Sequence, residues 1–271
     1  MEYRVHSPSP ELQPFVKCFW TLEDVDTETV QKQRIVPDGC MEMIFHYGDP
    51  YRQYFENGDS LVQPRCFIFG QITSVLEIAP IGITGIIAAR FHPDGLDPFL
   101  HVPVESLVNK ATTLDIIFGD EGTKLAVDVL AAGDSDARIA LIETFLLSQL
   151  SSPITIDLIS RSCVDAIMQT NGSLEISELA DRLEIQRRKM ERRFRSAIGL
   201  SPKQLSRAVR LQAAIRLLAG RKFSSLTDLA LESGYFDQAH FIKDFREFTG
   251  RSPKSFFSGH LELAGLFAAV G

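Results

Sequence analysis

Near its C-terminal end the chain reads Ser233-Gly234-Tyr235-Phe236-Asp237-Gln238-Ala239-His240-Phe241-Ile242-Lys243-Asp244-Phe245-Arg246-Glu247-Phe248-Thr249-Gly250-Arg251-Ser252-Pro253. The order is a glycine turn, a helix that Asp237 can cap, a glycine stop and a Ser-Pro restart. Phe241, Phe245 and Phe248 recur at i, i+4 and i+7, so they share one helical face. Ala239, Lys243 and Arg246 project from the opposite face, with His240 and Glu247 beside them. A helix that buries one side and offers a polar, basic side outward has the layout of one that enters a nucleic-acid groove.

This stretch is the second copy of a repeat. Ile176, Leu179 and Ala180 match Leu226, Leu229 and Ala230 at an offset of 50, and Phe194, Gly199, Ser201 and Pro202 match Phe245, Gly250, Ser252 and Pro253 at an offset of 51. Each copy has a short Leu-Ala helix, a turn and a longer second helix, the order of a helix-turn-helix unit. The first unit is Ile176–Leu183, a turn at Glu184-Ile185-Gln186, then Arg187–Ile198. Met190, Phe194 and Ala197 share its inward face. Arg188, Arg192 and Arg195 point away from that face, with Glu191 at the edge and Arg187 near the helix start. Ser225 and Asp228 resemble a capping box for the second unit. A helix over Leu205–Leu218 joins the units and, if rigid, fixes the distance between their second helices.

Net charge is −7, which alone argues against nucleic acid. The distribution reverses that. Residues 171–260 hold 17 Lys/Arg against 10 Asp/Glu, and the remainder holds 11 against 25. A basic module fused to an acidic domain follows.

Upstream, the pattern changes. Residues 1–10, with Pro8 and Pro10, read as irregular. Strands are expected over Phe15–Leu22, Gln33–Val36, Met41–His46, Tyr51–Phe55, Cys66–Gln71, Val75–Ala79 and Ile83–Phe91, separated by turn residues such as Pro37-Asp38-Gly39 and Asn57-Gly58-Asp59. Short helical pieces follow at Leu96–Leu100, Val104–Val108 and Leu114–Phe118. Longer helices are expected over Glu121–Ala131 and from Asp134 or Ser135 to Leu150. The stripe Ile139, Ile142, Leu146 and Leu150 suits packing within the domain or pairing with a second copy. Ser151-Ser152-Pro153 reads as a linker, and Ile154–Thr170 as a helix stopped by Asn171-Gly172. The fold class is thus α+β: a β-rich domain over 1–110 built as a barrel or sandwich, a helical connector over 111–152, an all-α domain with two helix-turn-helix units over 153–260, and an apolar tail over 261–271.

The second unit, and the tandem arrangement, resembles the DNA-binding domain of the AraC/XylS family of transcriptional regulators over about residues 155–258. The resemblance implies seven helices, two of which enter successive major-groove segments. By position it assigns DNA contacts to Arg188, Glu191, Arg192 and Arg195, and to Gln238, Ala239, His240 and Lys243. Arg187 and Arg246 join them on the outward faces. Glu184 stands where the family often has glycine, and Gln186 where it often has a serine cap. Pro37-Asp38-Gly39-Cys40, Phe69-Gly70-Gln71 and Arg90-Phe91-His92-Pro93-Asp94-Gly95 resemble the sensor domain of one subgroup, which implies a cupin-like domain of undefined ligand.

Enzyme signatures are missing. The sensor half has His46, His92 and His101 without an H-x-H pair, so metal-dependent cupin chemistry is not expected. No Walker, Rossmann or G-x-S-x-G pattern occurs. Cys18, Cys40, Cys66 and Cys163 are too scattered for a zinc site and read as reduced buried thiols. No catalytic, metal or cofactor residues are assigned. No apolar run reaches the roughly 18 residues that span a bilayer. The expected partners are double-stranded DNA, a small-molecule effector of unknown site, RNA polymerase if the output is activation, and a second copy of the chain, in the cytoplasm. The alternatives are a regulator whose N-terminal domain only dimerises and, last, an N-terminal enzyme.

Overall fold

The computed structural model describes residues 1–25, 32–150, 157–220 and 223–257. Its N-terminal part contains ten strands: β1 (Glu2–His6), β2 (Val16–Asp24), β3 (Gln33–Ile35), β4 (Glu42–His46), β5 (Tyr51–Tyr54), β6 (Ser60–Val62), β7 (Cys66–Phe69), β8 (Leu76–Pro80), β9 (Thr84–Phe91) and β10 (Ala111–Thr113). They form two antiparallel sheets, ordered β1-β2-β9-β4-β7-β10 and β3-β8-β5-β6. The sheets are not closed, so the sandwich is the observed form and the barrel is not.

The larger sheet is the middle of three layers. Residues alternate across a strand, so each face has its own set. Phe19, Met43, Phe45, Ile87 and Ala89 face a helical hairpin, α1 (Leu114–Ala131) and α2 (Ser135–Gln149), and meet Leu125, Val129, Ile142 and Leu146. Cys18, Trp20, Leu22, Ile86 and Ala88 face the smaller sheet and meet Tyr51 and Ile78. Because β9 is covered on both faces, all eight of its residues are buried. The two helical pieces expected before Ala131 form one kinked helix, broken at Gly119 where φ is 60°. Asp134 caps α2 by accepting from the Ala137 N–H at 2.8 Å.

One expectation fails at the N-terminus. Residues 1–10 are not irregular throughout: Glu2–His6 is a strand, paired antiparallel with Glu23 back to Phe19. Pro8 and Pro10 lie outside it. It is an edge strand with one polar face, so its signal is short and easily masked by the prolines.

The C-terminal part is helical: α3 (Leu158–Gln169), α4 (Ile176–Arg182), α5 (Arg187–Ile198), α6 (Pro202–Ala219), α7 (Leu226–Glu232), α8 (Gln238–Thr249) and α9 (Pro253–Phe257). The expected linker at 151–153 and the tail at 261–271 lie outside the described residues. Helix α6 serves two cores. Leu205 and Val209 pack with Met190, Phe194 and Ile198 of the first unit, while Leu211, Ala214, Ile215 and Leu218 pack with Phe241, Phe245 and Phe248 of the second. Ser201 opens α6 with a reciprocal capping box to Gln204.

The two parts touch along a defined seam. Val36, just after β3, is buried in the core of the second unit. The Pro37 carbonyl accepts from Gln212 Nε2 at 2.9 Å. Gly39 has φ of 79°, a conformation that favours glycine, and a Cβ there would lie 2.5 Å from Leu205 Cδ1, so the leucine tip would have to move. Arg161 on α3 pairs with Asp94 and donates to the Pro14 carbonyl at 3.0 Å.

Candidate nucleic-acid interface

Each second helix is placed by a turn and a cap. In the second unit Gly234 takes φ of 81°, and Asp237 caps α8 by accepting from the His240 N–H at 2.7 Å. The corresponding positions of the first unit are Glu184 and Gln186. Glu184 adopts the same left-handed region, φ 49°, against the preference of an L residue. Gln186 makes no side-chain cap. The sequence departures at these two positions therefore change the residue and keep the backbone path. In the second unit Ser225 accepts from the Asp228 N–H at 3.1 Å, and the Asp228 carboxylate takes the Ser224 hydroxyl.

Each helix is also fixed by a bidentate arginine–aspartate clamp. Arg193 on α5 donates to both oxygens of Asp157 at 2.9 and 3.1 Å, and Asp157 is itself the cap of α3. Burial works against the Asp157 carboxylate, but the Arg193 bonds and the Ser160 and Ile159 N–H groups outweigh it and hold its pKa below the usual range. On α8 the polarity is reversed. Asp244, 4% exposed, accepts from Arg207 of α6 at 3.1 and 3.0 Å. Arg207 also reaches Glu247 at 2.7 Å and lies over the Phe248 ring. Burial disfavours its charge, yet the bonds to Asp244 and Glu247 raise its pKa further. These clamps were not foreseen in the sequence, because their partners lie 36 and 37 residues apart.

The outward residues then fall into distinct situations. Arg188 and Arg192 are exposed and form no ion pair among the described residues. Arg187 is tied to Glu191 at 2.9 Å on its own helix. Arg195 is exposed but leans toward Glu105 of the N-terminal part at 3.9 Å. On α8, Ala239, Lys243 and Arg246 are exposed. Gln238 accepts from the Thr227 hydroxyl of α7 at 2.9 Å. His240 lies edge-on to Tyr235, with Nε2 3.7 Å from Asp244. Phe236, 86% exposed in the turn, is an apolar neighbour of this face that the sequence reading left aside.

Residues 4–113 match a domain family of unknown function, DUF6597, and residues 179–259 match a helix-turn-helix domain. The second match runs from Leu179 on α4 beyond α9, so it takes in both units and the helix between them. Among similar regulators, an uncharacterized HTH-type transcriptional regulator of Haemophilus influenzae is 28% identical over 64% of this chain and 57% of its own length. The Msm operon regulatory protein of Streptococcus mutans is 30% identical over 43% of this chain and 42% of its own. The chain thus spans about half the length of these relatives. Among solved structures, ToxT from Vibrio cholerae aligns over 89% of this chain and 97% of its own, at 12% identity and a TM-score of 0.46. The DNA-binding domain of AdpA in complex with a target DNA aligns over 37% and 89%, at 27% identity and 0.34.

Among the described residues no group of three His, Cys, Asp or Glu is arranged to hold a metal. None of the described helices is long and apolar enough to cross a membrane. Cys18, Cys66 and Cys163 are buried free thiols, and Cys40 is half-buried.

Proposed function

We propose that the chain is a sequence-specific, double-stranded-DNA-binding transcriptional regulator of the cytoplasm, without enzymatic activity. One observation carries this reading. Two helices presenting Arg188 and Arg192, and Lys243 and Arg246, both pack on a common helix, α6, and each is held by an arginine–aspartate clamp, α5 to the start of α3 and α8 to α6 itself, so their basic faces form a fixed pair. Successive major-groove segments are the natural target of such a pair. Arg188, Arg192, Arg195 and Lys243 suit guanine O6/N7, and Gln238 suits adenine; Arg246 and Arg187 add phosphate contacts. Glu191, Ala239 and His240 complete the two faces.

The N-terminal domain sets the output, as an effector-binding domain with a cavity between its sheets. A second reading, in which this domain only joins two copies, is favoured by Ile116, Val127 and Leu147, which are exposed on the α1–α2 hairpin. RNA polymerase is a partner if the output is activation.

The test begins with selection of bound DNA from a random pool using the full chain. On the selected site, Arg192→Ala and Lys243→Ala should each weaken binding by about 1–3 kcal/mol. Unchanged specific binding in both variants would sink the assignment of these faces.

A further inference from the structure

Between the two sheets lies a pocket, partly open to solvent, with about 80 Å³ of interior space. Strand alternation gives it two polar ends. Glu42, Ile44 and His46 point to the same face of β4 and are in register with Arg90, Ala88 and Ile86 on β9. Four residues of strand separate Glu42 from His46 by roughly 13 Å. Apolar side chains, including Trp20, Ile44 and Ile78, line the waist.

One end is charged. Arg90, 3% exposed, donates to Glu42 at 2.7 Å and pairs with Asp38, while Trp20 Nε1 donates to Glu42 at 3.0 Å. Two carboxylates face one guanidinium. Burial raises the Glu42 pKa and Asp38 adds to it, while Arg90 and the Trp20 bond oppose it. The other end is neutral. His46 is 2% exposed, and burial pushes its pKa down to about 4. Neither of its ring nitrogens has a partner at bonding geometry; Gln63 lies alongside and only offsets part of the effect of burial. A buried ring on the cavity wall with no partner at bonding geometry leaves hydrogen-bonding capacity for whatever occupies the cavity.

We propose that this cavity takes a small molecule with an apolar, aromatic body and a protonated amine held by Asp38 and Glu42, and that its binding is passed to α6 through residues 36–40; the second half rests on the regulator reading above. An ammonium finds carboxylate lone pairs and the Trp20 ring beside them. A carboxylate would instead meet two carboxylates already seated on Arg90. Asp38 sits in the loop that is docked on the C-terminal helices by Val36, Pro37 and Gly39. A second cavity, about 60 Å³ and between the two parts, shares Asp38, Cys40 and Arg90 with the first and reaches Val209, Gln212 and Arg216. The Asp38–Arg90 pair is therefore the wall between the ligand and the DNA-binding helices. A cation that draws Asp38 inward moves the loop on α6.

Calorimetry on the full chain tests this with phenethylamine, phenylpropylamine, phenylpropionate and phenylpropanol. At least one amine should bind about tenfold more tightly than the carboxylate and the alcohol. Glu42→Gln, checked for native circular dichroism, should remove that preference, and Ile44→Phe, which fills the waist, should abolish binding. A carboxylate that binds more tightly than the amines, no binding by any of the four, or an undiminished amine preference in Glu42→Gln overturns the ligand class. Affinity for the selected DNA site is then measured with and without the amine. A severalfold change that is lost in Gln212→Ala, with amine affinity retained, supports the coupling; amine binding with no change in DNA affinity overturns it. Absence of specific DNA binding both with and without the amine would instead sink the regulator reading, and would leave the calorimetric result standing.

Discussion

The two helix-turn-helix units share a backbone path and differ in how they hold it. The second uses residues suited to each position: Gly234 in the left-handed turn and Asp237 as a cap. The first carries Glu184 and Gln186 there, and loses both the conformational ease and the cap hydrogen bond. Its hold comes from elsewhere. Arg193 is clamped to Asp157, and the end of α5 lies against the Val104–Leu107 turn of the N-terminal part, with Gly199 close enough that a Cβ would stand 2.9 Å from Val108. Tertiary contacts hold both units, and only the second adds a suited turn residue and a cap hydrogen bond. The less well capped unit is also the more basic one, so its exposed arginines ride on the helix that depends most on its neighbours.

Three measurements would break or sharpen this contrast. Phe194 and Phe245 are both 0% exposed and occupy matching positions in their cores. Replacing either with Ala should cost about 3–5 kcal/mol in denaturant unfolding. If the units are held as described, Phe194→Ala should also loosen the seam with the N-terminal domain, read as faster hydrogen exchange in residues 104–108, whereas Phe245→Ala should not. Equal exchange there in both variants would contradict the asymmetry. A smaller effect is expected at the caps. Asp237→Ala should destabilise by about 1 kcal/mol, and Gln186→Ala by much less, because only the former removes a hydrogen bond to a helix N–H. Two equal losses in thermal unfolding would show that Gln186 caps in solution. The smallest change is a gain: Glu184→Gly should stabilise by roughly 1 kcal/mol or less, since relief of left-handed strain is offset by the greater freedom of unfolded glycine. A clear loss would mean that the Glu184 side chain makes a contact of its own.

The repeat was legible because it depends on local spacing. Phe194 and Phe245, the Ser-Pro helix starts and the glycine stops all announce themselves within a few residues, and the helices of both units begin and end close to where those signals stand. Most strands were legible for the same reason. What escaped was set by partners distant in the chain. The strand Glu2–His6 exists because it pairs with β2, and nothing in its own five residues demands that. The two sheets, the placement of β10 beside β7 and the clamps at Asp157 and Asp244 are likewise products of folding at long range. The candidate face shows the same limit. Periodicity gives the direction of Arg195 and Gln238, but only the fold brings Glu105 and Thr227 beside them.

Val36 leaves a question of timing that the finished structure conceals. It lies near the start of the chain and completes the core around Phe241, Phe245 and Phe256. A ribosome adding about 5–20 residues per second needs on the order of tens of seconds to travel from one to the other. Once Arg90 has been made, the loop after β3 can fold around Asp38 and Arg90, but the apolar side chain of Val36 stays uncovered until the second helix-turn-helix unit has been made and reaches it.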